Sequence, residues 1–208
     1  MDHGDDSDNE SIQDLDDGAV PEVQDLINAW RTEINCPEIL KYQADLVEYL
    51  TQRMKDIENE IDEDTVTTAE NPDAMFTLMI KQMDVDRVKF SLSRYLRARI
   101  EKIEDQLHYI SDEDDTEAKI IYSRLSEHEK SYVQDLLSLY NRHFEEAIFK
   151  NIKDREELDK EQYLKKDCKP FLNQFVFTRE TEGNDEDISV SKYDKIRDEV
   201  ISGKKILL

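Results

Sequence analysis

Glycine, cysteine, long apolar runs and positive charge are all scarce in this chain, and each shortage excludes something. The four glycines, at positions 4, 18, 183 and 203, stand too far apart for a Walker-type phosphate loop or a dinucleotide fingerprint, both of which need closely spaced glycines. Two cysteines, Cys36 and Cys168, are too few for a disulfide framework and have no neighbour at metal-ligand spacing. His128-Glu129 lacks the second histidine of a zinc-protease helix, and Asp112 to Asp115 lack the turn glycine of a calcium loop. No apolar run approaches the roughly 20 residues that span a bilayer, and no signal peptide opens the chain. The expectation is a soluble intracellular protein that is not an enzyme, with no catalytic residues, no metal, no cofactor and no membrane partner.

The balance of charge is the next constraint. Against 28 Lys and Arg stand 51 Asp and Glu, a net charge of -23, which repels phosphate backbones. Direct nucleic-acid binding by the lone chain is therefore not expected. The one basic concentration, Arg87, Lys89, Arg94, Arg97, Arg99 and Lys102, is scattered around a helix among apolar residues, whereas a nucleic-acid reader wants an exposed stripe interleaved with aromatics. Ion pairs with acids of this chain or of a partner account for it better. Eight of the acids and no Lys or Arg fall in residues 1–20, leaving -15 for the rest. An acidic body serves solubility, or else attracts a basic partner.

That first stretch cannot bury enough apolar surface to offset its ordering entropy, so residues 1–20 are expected to be a disordered acidic tail. Ile12 and Leu15, at helical i,i+3 spacing among acids, either sit passively in a solvating tail or form a short docking peptide that folds on a partner.

Helical periodicity then takes over. Val23, Leu26, Ile27, Trp30 and Ile34 follow Pro21 until Asn35-Cys36-Pro37 breaks the run. A second helix is predicted from about Tyr42 to Ile61, and Asp62 to Asp73 is predicted to be a loop. A long central helix spans roughly Ala74 to Ile110, ended by the acidic run at 111–116. Ser126 and Glu129 have capping-box spacing and open a helix carrying Tyr132, Val133, Leu136, Leu137, Tyr140, Phe144 and Ile148 on one side. Four helices are thus expected in a helical domain over residues 21–152, followed by a charged linker at 153–170. Beyond Lys169-Pro170 the period changes. Phe171, Phe175 and Phe177 alternate as in a strand, Ile188 and Val190 alternate again after a Gly183-Asn184 turn, and Tyr193 to Ile201 suggest a short helix stopped by Gly203. Residues 171–208 form a small β-rich domain in this reading, with too few apolar side chains for an independent core. The fold class expected is mainly α, a helical bundle preceding that domain.

The central helix is unusual. Val85, Val88, Leu92, Tyr95, Leu96, Ile100, Ile103 and Leu107 share a core face, yet Met79, Met83 and Phe90, with Arg94 and Arg97, gather on the opposite side, where a surface helix is mainly charged. Those five residues are candidates for a partner interface. Arg99 projects from the apolar face, where it either snorkels to an edge or is a buried paired cation, within the chain or across an interface.

The run Asp86 to Glu104, DRVKFSLSRYLRARIEKIE, fits R-x-x-[FY]-x-L-x-x-Y-L-R-x-R-[IL]-x-K-I-E and resembles the signature helix of the GINS protein family, in its Sld-five branch. Trp30, Leu125-Ser126 and Lys169-Pro170 leading into Phe175-Val176-Phe177 extend the resemblance over about Pro21 to Leu208. It implies a helical A domain before a β-rich B domain, the order already read from the residues. It further implies a non-catalytic scaffold subunit of a nuclear heterotetramer with three other GINS subunits, joining the MCM motor ring and Cdc-forty-five in the replicative helicase for initiation and elongation of DNA replication. Phe175, Phe177, Ile206 and Leu207 then join Met79, Met83, Phe90, Arg94, Arg97 and Arg99 as interface candidates, and the tail at Ile12 and Leu15 as a docking peptide for a replisome adaptor. Between Arg179 and Ser191 the chain is too short for a hairpin usual in the family, which leaves the strand count open. The rival reading is an acidic helical adaptor or histone-binding chaperone unrelated to that family.

Overall fold

The computed structural model describes residues 21–67, 71–112, 114–149, 168–181 and 188–208. The acidic tail with Ile12 and Leu15, most of the expected linker at 153–170 and the Gly183-Asn184 turn lie outside the described residues.

Helix α1 (Pro21–Asn35) starts on a proline, whose missing N–H is no loss in a first turn. Its apolar stripe stops at Trp30. Glu33 takes the next inward position and is buried, so Ile34, expected on the stripe, is turned to solvent. Helix α2 (Ala44–Thr67) runs six residues past Ile61 into what the sequence predicts to be loop. Ile61 is buried against Leu78 and Val85 of the next helix, and Thr65 bonds back to the Ile61 carbonyl. That packing overrides the acidic composition of the turn.

Helix α3 (Pro72–Asp105) is N-capped by Asn71, whose side chain accepts from the Asp73 N–H. It packs against both α1 and α2. Leu78, Val85, Leu92, Tyr95, Ala98, Arg99 and Ile103 form its buried side. Ile100, expected there, lies about 80° round the helix from Leu92 and is exposed. The predicted continuity to Ile110 fails at Gln106, whose backbone leaves helical geometry (φ -103°, ψ 11°) while its side chain donates to the Pro37 carbonyl at 2.9 Å. A single turn, α4 (Leu107–Ile110), follows.

The four-helix expectation also omits α5 (Thr116–Ser123), which Asp115 caps by accepting from the N–H groups of Glu117 and Ala118. Helix α6 (Glu127–Phe144) opens with the predicted capping box: Ser126 Oγ accepts from the Glu129 N–H, and Glu129 Oε2 accepts from the Ser126 N–H. Residues of the α1–α2 connection and of α3 to α6, including Ile39, Ile103, Leu107, Ile121, Leu125 and Val133, close a common core.

The C-terminal part is a three-stranded antiparallel sheet, β1 (Phe175–Glu180), β2 (Ser189–Lys192) and β3 (Lys205–Leu207), in the order β2-β1-β3. Helix α7 (Tyr193–Ile201) connects the last two strands, and Gly203, in the left-handed region at φ 76°, lets the chain turn back after it. Val176 and Thr178 point inward, while Phe175 and Phe177, two of the interface candidates, point out. The sheet face turned inward is covered within this chain. Cys36 lies in one cluster with Val176, Tyr193, Ile196, Val200 and Leu207, β3 packs on α1, and the Leu207 N–H reaches Thr32 Oγ1 at 3.4 Å.

Leu207 is fully buried, so Leu207→Ala is expected to lower stability by about 2–5 kcal/mol. In urea unfolding of the full chain, helical circular dichroism and Trp30 fluorescence should move together to a lower midpoint, because the sheet and α1 share one core.

Candidate assembly surface

A buried charge network fixes what is inside and therefore what is left outside. Arg99 is fully buried and paired, which settles the choice against snorkelling. Its Nε and Nη2 donate to both oxygens of Glu129 at 2.6 and 3.1 Å, and its Nη1 to Glu33 Oε2 at 3.1 Å and to the Leu40 carbonyl at 2.8 Å. The guanidinium also sits 5.4 Å from the centre of the Tyr42 ring and 5.8 Å from that of Tyr95. Lys102 Nζ holds the other Glu33 oxygen at 3.0 Å and the Glu38 carbonyl at 3.0 Å. Burial works against the charge on Arg99, but the Glu129 bonds and the Glu33 charge outweigh it and hold its pKa above the ordinary value.

A second node is Glu38, also fully buried. It accepts from Arg197 at 2.7 and 2.8 Å, from Tyr193 Oη at 2.6 Å and from Arg124 Nη1 at 2.8 Å. Cys36 Sγ donates in turn to Tyr193 Oη at 3.2 Å. Burial pushes the Glu38 pKa upward, yet the bonds from Arg197, Tyr193 and Arg124 prevail and leave it below the usual carboxylate value. Burial drives the Cys36 thiol up to about 11, so it is a protonated core donor rather than a nucleophile. Among the described residues no group of three or more His, Cys, Asp or Glu is placed to hold a metal. No helix there is long and apolar enough to cross a membrane.

Three of the expected interface residues are thus buried inside the chain: Arg99 with its carboxylates, Leu207 in the core under the sheet, and Ile206 beside it on β3. The others lie outside. Met79 and Met83 are 64% and 66% exposed, Phe90 53%, and Arg94 and Arg97 are exposed beside them. Phe90 meets the edge of Trp30 at 6.3 Å between centroids, and Arg94 lies 5.1 Å over its ring. Phe76, Met75 and Ile80, not singled out from the sequence, are exposed on the same helix. At about 100° per residue, Phe76, Met79, Met83, Phe90, Arg94 and Arg97 share one stripe of α3. The spacing Phe76, Met79, Ile80, Met83 was a readable signal of this extension. A second uncovered patch is the outer sheet face, where Phe175 and Phe177 are 68% and 57% exposed and Phe171, Ile188 and Val190 are exposed with them. Phe177 faces Val190 across the ladder, and Lys192 Nζ lies 5.6 Å from the Phe175 ring centre. Ile12 and Leu15 lie outside the described residues.

Residues 49–148 match the GINS complex protein helical bundle domain of the Sld5 family. The chain is similar to the DNA replication complex GINS protein SLD5 of Arabidopsis thaliana, 35% identical over 127 residues, which is 61% of this chain and 54% of that protein. It is also similar to the protein of that name from Mus musculus, 27% identical over 86% of this chain and 76% of the relative. With that of Rattus norvegicus it shares 27% identity over 96% of this chain and 85% of the relative. The chain thus spans about half the length of the plant relative and most of the two mammalian ones.

Two outcomes follow from the network. Arg99→Ala leaves Glu33 and Glu129 buried around an empty centre and is expected to cost about 3–5 kcal/mol, measured by urea unfolding; a loss below about 1 kcal/mol would mean that the pair behaves as if exposed. Glu38 has a folded pKa below its reference value of 4.5, so its stabilising contribution is complete above that value and disappears as pH falls through the folded one. Thermal unfolding scanned downward from pH 6 should show this loss, and Glu38→Gln should be less stable at pH 7 with a flatter acid limb.

Proposed function

We propose that the chain is a member of the Sld5 family of GINS proteins and, within it, a non-catalytic scaffold subunit of a heterotetrameric GINS complex. Its partners in this reading are three sister GINS subunits. Through the complex it joins the MCM motor ring and Cdc-forty-five in the nuclear replicative helicase, for initiation and elongation of DNA replication. The division of labour is a helical A domain over 21–152 that carries the main contact and a small β-rich B domain over 171–208 that adds a second.

One observation carries this reading: the longest helix of the described chain displays a row of apolar side chains, Phe76, Met79, Met83 and Phe90, to solvent on the side away from an already filled core. Exposed apolar surface of that kind, edged by Arg94 and Arg97, has the composition of an interface centre, in which aromatics, Met and Arg are enriched. The outer sheet face, whose β2 edge meets no further strand among the described residues, is a second such surface. A net charge of -23 suits a subunit that stays off DNA while other parts of the machine hold it.

Co-expression with the three sister subunits tests the proposal directly, with co-elution of a stoichiometric tetramer expected. Stoichiometric binding of core histones by the lone chain, with no tetramer, would favour the acidic chaperone reading instead. Within the tetramer, Met83→Asp places a charge in the apolar stripe without touching the core. It should abolish co-purification with at least one sister subunit while leaving the helical circular dichroism of the lone chain unchanged.

A further inference from the structure

The exposed stripe of α3 has a symmetry of its own. Met83 lies at its middle, with Phe76 seven residues before it and Phe90 seven residues after. Seven residues are close to two helical turns, so the three side chains fall within about 20° of one line, and each phenylalanine stands about 10 Å along the axis from the methionine. The charges follow the same centre with opposite sign. Asp73 lies ten positions before Met83 and Arg94 eleven after it, both exposed and both on the same flank of that line.

Such an order is self-complementary. When two copies of α3 pack antiparallel about a two-fold axis at Met83, each residue meets the one equally far beyond the centre in the second copy. Phe76 then lies against Phe90 of the second copy, Met83 against its own counterpart, Met79 along the aliphatic stem of Arg87, and Asp73 opposite Arg94. Every contact off the axis occurs twice. Arg94 already lies 5.1 Å over the Phe90 ring, so cation and aromatic present themselves to Asp73 and Phe76 together. Parallel packing would instead oppose like charges, Asp73 to Asp73 and Arg94 to Arg94.

The net charge of -23 works against any self-association. Along the stripe, however, the exposed acids Asp73 and Asp86 stand among the exposed cations Arg87, Arg94 and Arg97, so the contact zone itself is not acidic. Acids elsewhere on the chain act through salt, which screens beyond about 8 Å at physiological ionic strength. A single helix pair of this length stays below the ~800 Å² per partner of a standard interface. The contact is therefore weak enough to yield to a heterologous partner with a larger surface.

We propose that the lone chain forms a two-fold homodimer by antiparallel pairing of the α3 stripe, centred on Met83. The dimer occupies the surface assigned above to a sister subunit, so an unassembled chain keeps its apolar stripe out of water until the second copy is displaced. It does not depend on that assignment, because self-complementarity is a property of α3 alone.

Sedimentation equilibrium of the full lone chain, from about 5 to 500 µM, should show a reversible monomer–dimer equilibrium. Met83→Asp should abolish it, since two carboxylates would meet on the axis without water. Arg94→Asp should weaken it about tenfold, the pair being lost twice, whereas Arg94→Asp combined with Asp73→Arg should return it to within about twofold of the parent. In a Cys168→Ser background, where Cys36 is buried, Met83→Cys should oxidise in air to a disulfide-linked dimer and Phe76→Cys should not, because only a residue on the axis meets its own copy. A chain that stays monomeric throughout, a dimer indifferent to Met83→Asp, a charge swap that fails to restore, or equal crosslinking at Phe76→Cys would each overturn the proposal. Helical circular dichroism of every variant confirms that these exposed substitutions leave the fold intact. A tetramer with sister subunits beside a strictly monomeric lone chain would sink the homodimer and spare the GINS reading, and a homodimer without a tetramer would do the reverse.

Discussion

A guanidinium with no access to water holds the centre of this molecule. Arg99 gathers Glu33 from α1, Glu129 from α6 and the Leu40 carbonyl from the connection after α1, so one side chain of α3 positions two regions distant from it in sequence. Two unlike charges in low dielectric do not guarantee net stability, because desolvation can cancel their attraction. What they impose is uniqueness: any packing that moves α1 or α6 leaves an uncompensated ion. Glu129 strengthens that constraint, since the oxygen that receives Arg99 Nη2 also caps the first turn of α6. Helix start and ion pair form together.

Because the ions occupy so much of the inner side of α3, the apolar residues of the chain divide unevenly. Leu92, Tyr95 and Ile103 go inward between charged positions, and the methionines and phenylalanines of the stripe remain outside. The same division recurs in the sheet. Val176 and Thr178 face Cys36 and the C-terminal helix, whereas the larger phenylalanines on either side of Val176 face solvent. Placing the bulkiest aromatics outward leaves apolar surface in water that burial in the core would have removed.

Several elements were legible from residue order. Pro21, the Asn35-Cys36-Pro37 break, the Ser126 capping box and the Gly203 stop are local signals whose physics acts within a few residues, and each lies where it was read. The apolar stripe of α3 was visible through its spacing, as was the anomaly of Arg99. Its partners were not, because Glu33 and Glu129 are 66 and 30 positions away and no local rule joins them. Strand period in Phe175 to Phe177 was readable, but which face turned inward depended on Cys36 and Leu207 arriving from elsewhere. For the same reason Ile206 and Leu207 were assigned outward, and α2 was ended too early by its acidic turn.

The second ion node has a bearing on how this chain comes into being. Glu38 lies near the start of the polypeptide, while Tyr193 and Arg197, which accompany it, follow 155 and 159 residues later. During synthesis from the N-terminus, the helical part emerges with this carboxylate only partly compensated, by Arg124. Full burial must wait until the last secondary elements have left the ribosome. Nascent chains cut short before residue 193 would therefore retain a hydrated, unsealed seam between α1 and the α1–α2 connection. Closing this seam therefore ties the first helices to secondary elements more than 150 residues away along the chain.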